Sequence, residues 1–250
     1  MTVSTDLSGR TALVTGATAG IGRAVALKLA DRGAEVVVHG RDPRRGADLV
    51  AEIAQRGGRA RFVAADLTDA EQVIGLAATA GEVDILVNNA GIYDFTSTPD
   101  TSAESFDRHV AINTRAPFLL VGALAPGMAK RGHGAIVNIT STAATLAAPI
   151  GGAYGASKAA VEILTRSWAT EFGASGVRVN GVSPGPVRTA GTEQMLGENV
   201  EMLGQVNIRG RVGEPDEIAE VVLFLVDDRS SYVNGTVVLA NGGERSSLPG

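Results

Sequence analysis

Three side chains in one short stretch have the types and spacing for proton transfer. Ser141, Tyr154 and Lys158 lie in N-I-T-S-T-A-A-T-L-A-A-P-I-G-G-A-Y-G-A-S-K, residues 138–158. Tyr154 and Lys158 are four residues apart, which on a helix places them on one face, one turn from each other. A free tyrosine has a pKa near ~10 and is a poor acid or base at neutral pH. A neighbouring ammonium favours the phenolate, so Lys158 is expected to draw the Tyr154 pKa toward the working range. Ser141 is a neutral hydroxyl able to hold a carbonyl or alcohol oxygen beside the phenol. Phenol, ammonium and hydroxyl converging on one oxygen suit protonation of a carbonyl while hydride arrives from elsewhere. Taken singly, each residue is ordinary: tyrosines pack half-buried on helices, lysines are solvated, and serines after strands cap turns. The constellation gains weight only with a hydride donor.

The other end of the chain offers a place for one. In R-T-A-L-V-T-G-A-T-A-G-I-G-R-A-V-A-L-K-L-A, residues 10–15 read as a buried strand and 21–29 as an amphipathic helix. Gly16, Gly20 and Gly22 fall in the turn between them, spaced G-x-x-x-G-x-G rather than G-x-G-x-x-G. Such glycines permit a tight turn and close approach of backbone to a pyrophosphate, which the free N–H groups of the helix N-terminus then meet. The second strand, residues 35–39, ends in His39 and Gly40, followed by Arg41 and Asp42. An acid at that strand end selects NAD, and a cation suits the extra phosphate of NADP. Arg41 therefore favours NADP(H), with NAD(H) as the alternative because Asp42 stands close enough to compete. Arg41 could also be an ordinary surface arginine in a charged loop with Arg44 and Arg45.

The elements that must position these residues alternate almost throughout. Strand patterns occur at 12–15, 35–39, 61–65, 85–87, 135–140, 177–182 and 236–239, with helical patterns between them. This alternation predicts an α/β fold: one domain, a doubly wound parallel sheet of about seven strands with helices on both faces. Ligands of such sheets sit at the strand carboxyl ends. The glycine turn, Asp66, Asn89, Ser141 and Pro184 each follow a predicted strand, so all fall along one edge. The stretch 190–213 is less regular, with Met195, Leu196, Met202, Leu203, Val206 and Ile208 at roughly helical spacing. A surface helix packed on the core would produce the same spacing.

Composition bounds the partners. A net charge of −5 argues against a nucleic-acid or anionic-membrane surface. With no cysteine, disulfides, thiol catalysis and thiolate metal sites are excluded. The three histidines lack metal-ligand spacing, so no metal is expected, and each reads as a surface or loop residue. The first ten residues have neither an apolar core nor a basic start, and apolar runs such as 221–226 are too short to span a bilayer. A soluble cytoplasmic protein is the expectation, and the polar residues 244–250 are expected to be loose.

Several motifs in order resemble the single-domain short-chain dehydrogenases/reductases over nearly the whole chain. T-G-A-T-A-G-I-G (15–22) is similar to that family's cofactor turn, and N-N-A-G (88–91) to its motif after the fourth strand. Asn113, in H-V-A-I-N-T, with Ser141, Tyr154 and Lys158, resembles its catalytic tetrad, and S-P-G-P-V-R-T (183–189) the segment beside the nicotinamide. The resemblance implies that Tyr154 is the general acid in reduction and general base in oxidation, and that Lys158 binds the nicotinamide ribose and lowers the Tyr154 pKa. Ser141 would orient the substrate oxygen, and Asn113 would support a water linking Lys158 to solvent. Gly16, Thr18, Gly20, Ile21, Gly22, Arg41, Asp66, Leu67, Asn89, Ala90, Gly91, Pro184, Gly185, Val187 and Thr189 would line the cofactor, Asp66 at the adenine and Thr189 at the carboxamide. It also implies a lid at 190–213, whose apolar face fits a largely uncharged carbonyl or alcohol, and a homo-oligomer, either tetramer or dimer. Tyr93, Phe95, Thr145, Leu146 and Ile150 are further cleft candidates.

The chain departs from the family pattern in three places. Ala19 stands where NADP-preferring members often carry a second cation, Asn241-Gly242-Gly243 replaces D-G-G, and Ser175 stands where carrier-protein reductases commonly have arginine. Two other readings compete. A nucleotide sensor that kept the fold without catalysis has no need of an intact tetrad. A serine hydrolase would want Ser141 in G-x-S-x-G with a histidine beside it, and the sequence offers neither.

Overall fold

The computed structural model describes residues 6–244, so nearly all of the polar tail expected to be loose lies outside the described residues. Among the described residues fifteen principal elements follow one another, strands and helices alternating through most of the chain. The first half contains β1 (Thr11–Val14), α1 (Gly20–Asp31), β2 (Glu35–Gly40), α2 (Pro43–Gln55), β3 (Arg59–Ala64), α3 (Ala70–Ala80), β4 (Ile85–Asn88) and α4 (Ala103–His109). The second half contains α5 (Ala116–Arg131), β5 (Gly134–Ile139), α6 (Gly152–Phe172), β6 (Val177–Pro184), α7 (Ala190–Leu196), α8 (Pro215–Val226) and β7 (Val237–Ala240). The seven strands lie in the order β3-β2-β1-β4-β5-β6-β7, and every neighbouring pair is parallel.

The strands are apolar without alternation because helices cover both faces. Val14, Val36, Val38, Val87 and Val137 pack with Leu29 of α1 and Val222 and Leu225 of α8. Leu13, Val37, Leu86 and Ile136 point the other way, onto Leu76 of α3, Leu120 and Met128 of α5 and Trp168 of α6. The chain winds outward from β1 to β3, then returns to lay β4 on the other side of β1. The loops after β1 and β4 therefore diverge and open a crevice at their carboxyl ends.

Element ends fall within two residues of the predicted strands, and β6 runs on to Pro184. Two features differ from expectation. A π-helical turn (Val110–Arg115) joins α4 to α5, so residues 103–131 form one continuous helical stretch. By length and apolarity this helix could cross a membrane, and it is far longer than the apolar runs read from the sequence; half of its apolar window is buried in the protein. In the 190–213 region, Gly197 adopts φ +54° and stops α7 after seven residues, and the chain continues as a 3-10 stretch (Gly197–Val206). A continuous α-helix cannot accommodate that left-handed residue.

Candidate active site

Ser141 leaves the end of β5 in extended conformation and accepts a hydrogen bond on Oγ from Ala143 N at 3.2 Å, capping a single 3-10 turn (Thr142–Ala144). The first turn of α6 lies directly on that turn. A Cβ on Gly155 would stand 2.7 Å from the Ala143 carbonyl oxygen, so the glycine after Tyr154 allows the approach. Tyr154 is thereby brought beside Ser141, whose hydroxyl is close enough to act on the acidity of the phenol.

One turn later, Lys158 is buried and donates from Nζ to Ile139 O at 2.8 Å. Asn113, carried by the π-helical turn, accepts from Ile92 N and donates to Ile92 O and Ser157 Oγ, each at 2.9 Å. Such π turns recur at functional sites. Gly91 closes the group, since a Cβ there would stand 3.2 Å from Asn113 Oδ1 and 3.3 Å from Lys158 Nζ. The four residues of the expected tetrad thus meet at the carboxyl ends of β4 and β5.

The electrostatics correct one expectation. Burial raises the Tyr154 pKa above its ordinary value, and the Ser141 hydroxyl only partly opposes this. The reason is that Lys158 is itself enclosed, with its Nζ on the Ile139 carbonyl and 6.0 Å from the tyrosine ring centroid. Burial disfavours the ammonium and lowers the Lys158 pKa to about 8.

The cofactor candidates gather around α1. Gly16 and Gly20 adopt φ +62° and +52°, and the N-terminus of α1 has no side-chain cap and no acid in its first turn. By contrast, Asp42, Asp69 and Ser102 cap α2, α3 and α4. The open N–H groups of α1 and the absence of nearby carboxylate in that turn fit a phosphate. Thr189 caps α7 and lies over the turn, with its Cγ2 3.0 Å from where a Gly20 Cβ would be. Thr18 lies over Gly40.

Asn89 faces the turn itself: its amide donates to Thr15 O (2.9 Å) and Gly16 O (3.2 Å), while Asn89 N and Ala90 N donate to Thr15 Oγ1, each at 3.0 Å. Asp66 accepts from Thr68 N and Oγ1, which hold its carboxyl below the usual range. Leu67 and Val187 are in the core, behind the candidate surface, and Gly185 abuts Asn241. Arg41 is exposed. The Asp42 carboxylate instead accepts from Arg44 N (2.8 Å) and Arg45 N (3.4 Å).

On the substrate side, the Tyr93 and Phe95 rings lie 6.2 and 5.9 Å from the Tyr154 ring, both edge-on. Phe95 packs on Gly151 at the start of α6, and the Tyr93 hydroxyl occupies the space where a Gly191 side chain in α7 would go. Thr145 and Ile150 are exposed and Leu146 half-buried on the segment between Ser141 and α6.

A family profile described as "Enoyl-(Acyl carrier protein) reductase" matches residues 16–244. A solved "short chain dehydrogenase/reductase family protein" is 50% identical, with TM-score 0.90, over 95% of this chain and 98% of that one. The chain belongs to the short-chain dehydrogenase/reductase family. "NADPH-dependent aldehyde reductase 2, chloroplastic" of Arabidopsis thaliana is 38% identical over 95% of this chain and 94% of its own. A 7α-hydroxysteroid dehydrogenase solved with NADH and 7-oxo glycochenodeoxycholic acid is 35% identical, with TM-score 0.92, over 98% of both chains. Membership of the short-chain dehydrogenases/reductases makes this chain an oxidoreductase.

Two histidines stand where their sequence context does not place them. His39 and His109 were expected as surface or loop residues but lie in β2 and α4, buried at 2% and 1% exposure, and only His133 is exposed. His39 is held between the glycine turn and the end of β3, and His109 between α4 and the loop that carries Tyr93. Ser157 was also missed: it links Asn113 to the Tyr154 carbonyl, at 2.9 and 2.7 Å. The A-I-N-T and Y-G-A-S-K spacings contain these partners, but only the crossing of α4–α5 with α6 shows that they meet.

Proposed function

We propose that this short-chain dehydrogenase/reductase transfers a hydride between NADP(H) and a carbonyl/secondary alcohol pair, with Tyr154 as general acid and base. The observation that carries the reading is the meeting of the Tyr154 phenol with the Ser141 hydroxyl, one helical turn from buried Lys158. When bound, NADP(H) supplies or accepts the hydride. Gly16, Gly20 and Gly22 would hold its pyrophosphate at the α1 N-terminus, with Thr18, Ile21, Asp66, Ala90, Gly91, Pro184 and Thr189 around it.

In reduction, Ser141 Oγ holds the substrate oxygen and Tyr154 Oη gives it a proton; in oxidation the proton returns to Tyr154. Two preorganised hydroxyls at the oxygen stabilise the developing alkoxide. Lys158 and Asn113, which adjoin across Gly91, would pass a replacement proton toward Tyr154.

NADP(H) is favoured over NAD(H) by the charge at the end of β2. Arg41 is exposed, and Asp42, the competing acid, is engaged in capping α2. Named relatives divide between NADPH and NADH, so the preference rests on these two residues. Tyr93 and Phe95 set aromatic rings beside Tyr154, which suits a largely uncharged substrate. Ser175, uncharged and exposed before β6, does not favour a carrier-protein substrate. Exposed Phe118 on α5 and Ile163 on α6 offer an apolar face for a homo-oligomer.

The test is NADPH and NADH binding to wild type and Arg41→Ala, followed by a panel of neutral aldehydes and ketones with the better cofactor. Tighter NADPH binding that Arg41→Ala abolishes, with turnover of a panel member, supports the reading. Preference for NADH unaltered by the substitution overturns the cofactor assignment, and no turnover across the panel overturns the reaction.

A further inference from the structure

Neither buried histidine takes part in the proposed chemistry, yet both ring nitrogens of each are engaged by backbone. At His39, Nδ1 accepts from Gly16 N at 3.2 Å. Nε2 lies 3.1 Å from Ala65 O, and since Nδ1 is an acceptor, Nε2 carries the hydrogen and donates. The ring is therefore a neutral imidazole of fixed tautomer, spanning from the first glycine of the β1–α1 turn to the residue before Asp66. A protonated ring would present N–H to the Gly16 N–H, and the bond to the turn would be lost.

Gly16 has little freedom to shift. Its φ is +62°, and a Cβ on it would stand 2.9 Å from Ala90 Cα. Its carbonyl accepts from the Asn89 amide at 3.2 Å, so His39 holds the N–H of the same residue whose C=O Asn89 holds.

We propose that His39 is a positioning residue for coenzyme binding: as a neutral acceptor it orients the Gly16 amide, and with it the phosphate-facing turn, against the adenine-side loop at Ala65 and Asp66. The proposal rests on the cofactor site assigned above. Burial is the main cause that lowers the His39 pKa; the Ala65 carbonyl opposes it, and Arg41 adds to the lowering. The turn at 16–22 contributes no charge, and Asp66, beyond Ala65, is bonded to Thr68 and faces Arg41. His39 is thus neutral at physiological pH and gains its proton only on the acid side.

His109 supplies a matched comparison. It accepts on Nε2 from Asp94 N at 3.1 Å and donates from Nδ1 to Ser105 O at 2.8 Å, but it does so in the loop carrying Tyr93 and Phe95. Removing its acceptor disturbs the substrate side and leaves the glycine turn alone.

The experiment uses the full chain with NADPH as the probe, followed by fluorescence titration, and thermal unfolding as the control. His39→Leu is expected to weaken NADPH about tenfold, as loss of one buried acceptor predicts. His39→Asn, whose side-chain oxygen reaches the position of Nδ1, restores most of that affinity. His109→Leu leaves NADPH affinity within about twofold of wild type. Asparagine no better than leucine at matched thermal stability overturns the proposal, as does His109→Leu weakening NADPH as much as His39→Leu.

If the leucine variants do not fold, pH decides. In wild type the Gly16 amide resonance titrates on the acid side of the ordinary imidazole range, and NADPH affinity falls with it by more than protonation of the coenzyme's own phosphate accounts for; in His39→Asn the amide is flat and only the phosphate's share of the fall remains. A Gly16 amide that does not titrate, with parallel affinity curves for the two proteins, overturns the proposal. These readouts need no turnover, so an inactive carbonyl panel would count against the proposed reaction and leave the His39 result standing.

Discussion

The Asn89 side-chain nitrogen lies where a Gly22 side chain would have to be. It is held there by its bonds to Thr15 O at 2.9 Å and Gly16 O at 3.2 Å, and a Cβ on Gly22 would collide with it and with the Gly16 carbonyl. The third glycine of the turn thus serves the packing of α1 against the loop after β4, which is a separate need from phosphate approach.

Gly22→Ala should therefore loosen the turn from inside. Overpacking of this kind costs about 1–3 kcal/mol, and Asn89 must give up at least one of its two carbonyls. The expected outcome is a lower denaturation midpoint together with weaker NADPH binding, read by urea unfolding and cofactor titration on the same protein. Unchanged stability and affinity would show that the turn tolerates a methyl group there.

Lys158 makes a pH-dependent contribution whose sign follows from its lowered pKa. The unfolded lysine titrates near 10.5 and the folded one at about 8. Between those values the unfolded chain binds more protons, so stability rises as pH increases from about 8 toward 10.5; below 8 the cost of enclosing the ammonium is fully present. That difference amounts to about 3 kcal/mol. Lys158→Met removes it. The variant should be at least as stable as wild type at pH 7, lose the rise in stability above pH 8, and have little turnover. Urea unfolding at about pH 7 and pH 9.5 checks this, and a variant markedly less stable at pH 7 contradicts it.

Much of this was legible in the sequence because the signals are local. The glycines at 16, 20 and 22, the four-residue spacing of Tyr154 and Lys158, and the strand-then-turn order are set within a few residues, and they placed the sheet and the tetrad. What stayed hidden depends on contacts between distant segments. His39 looks like any strand-end histidine until the β1 turn and the end of β3 close on it. Asn89 was expected to line the cofactor, and that its amide also holds Thr15 and Gly16 follows only from β4 lying beside β1. The π-helical turn at Asn113 leaves no periodic mark in so apolar a helix, and the break at Gly197 is one left-handed residue inside an otherwise helical pattern. The Tyr154 acidity was misjudged because spacing reports proximity to Lys158 and says nothing of the burial both share.

Arg188 ties the 190–206 region to the body of the protein. Its guanidinium pairs with Glu193 (3.9 Å) of α7, with Glu201 of the 3-10 stretch, and with Glu214 (3.1 Å) at the start of α8. The group is about one-third exposed, so each pair is screened and the hold should weaken with salt. Arg188→Ala should raise the substrate KM several-fold with a smaller effect on kcat, and faster proteolysis at 190–206 should accompany it. High salt should reproduce part of the effect in wild type. KM and proteolysis unchanged in the variant would show that the three carboxylates do not need this anchor.

The most direct test of the account is Tyr154→Phe, because it deletes the phenolic oxygen and keeps the ring that packs on Tyr93 and Phe95. Rates of NADPH-dependent carbonyl reduction and NADPH affinity should be measured side by side for wild type and variant. The account predicts a loss of roughly a thousandfold or more in turnover, the scale of a general acid acting with its share of oxyanion stabilisation, at nearly unchanged NADPH affinity. Equal turnover in the two proteins would contradict it.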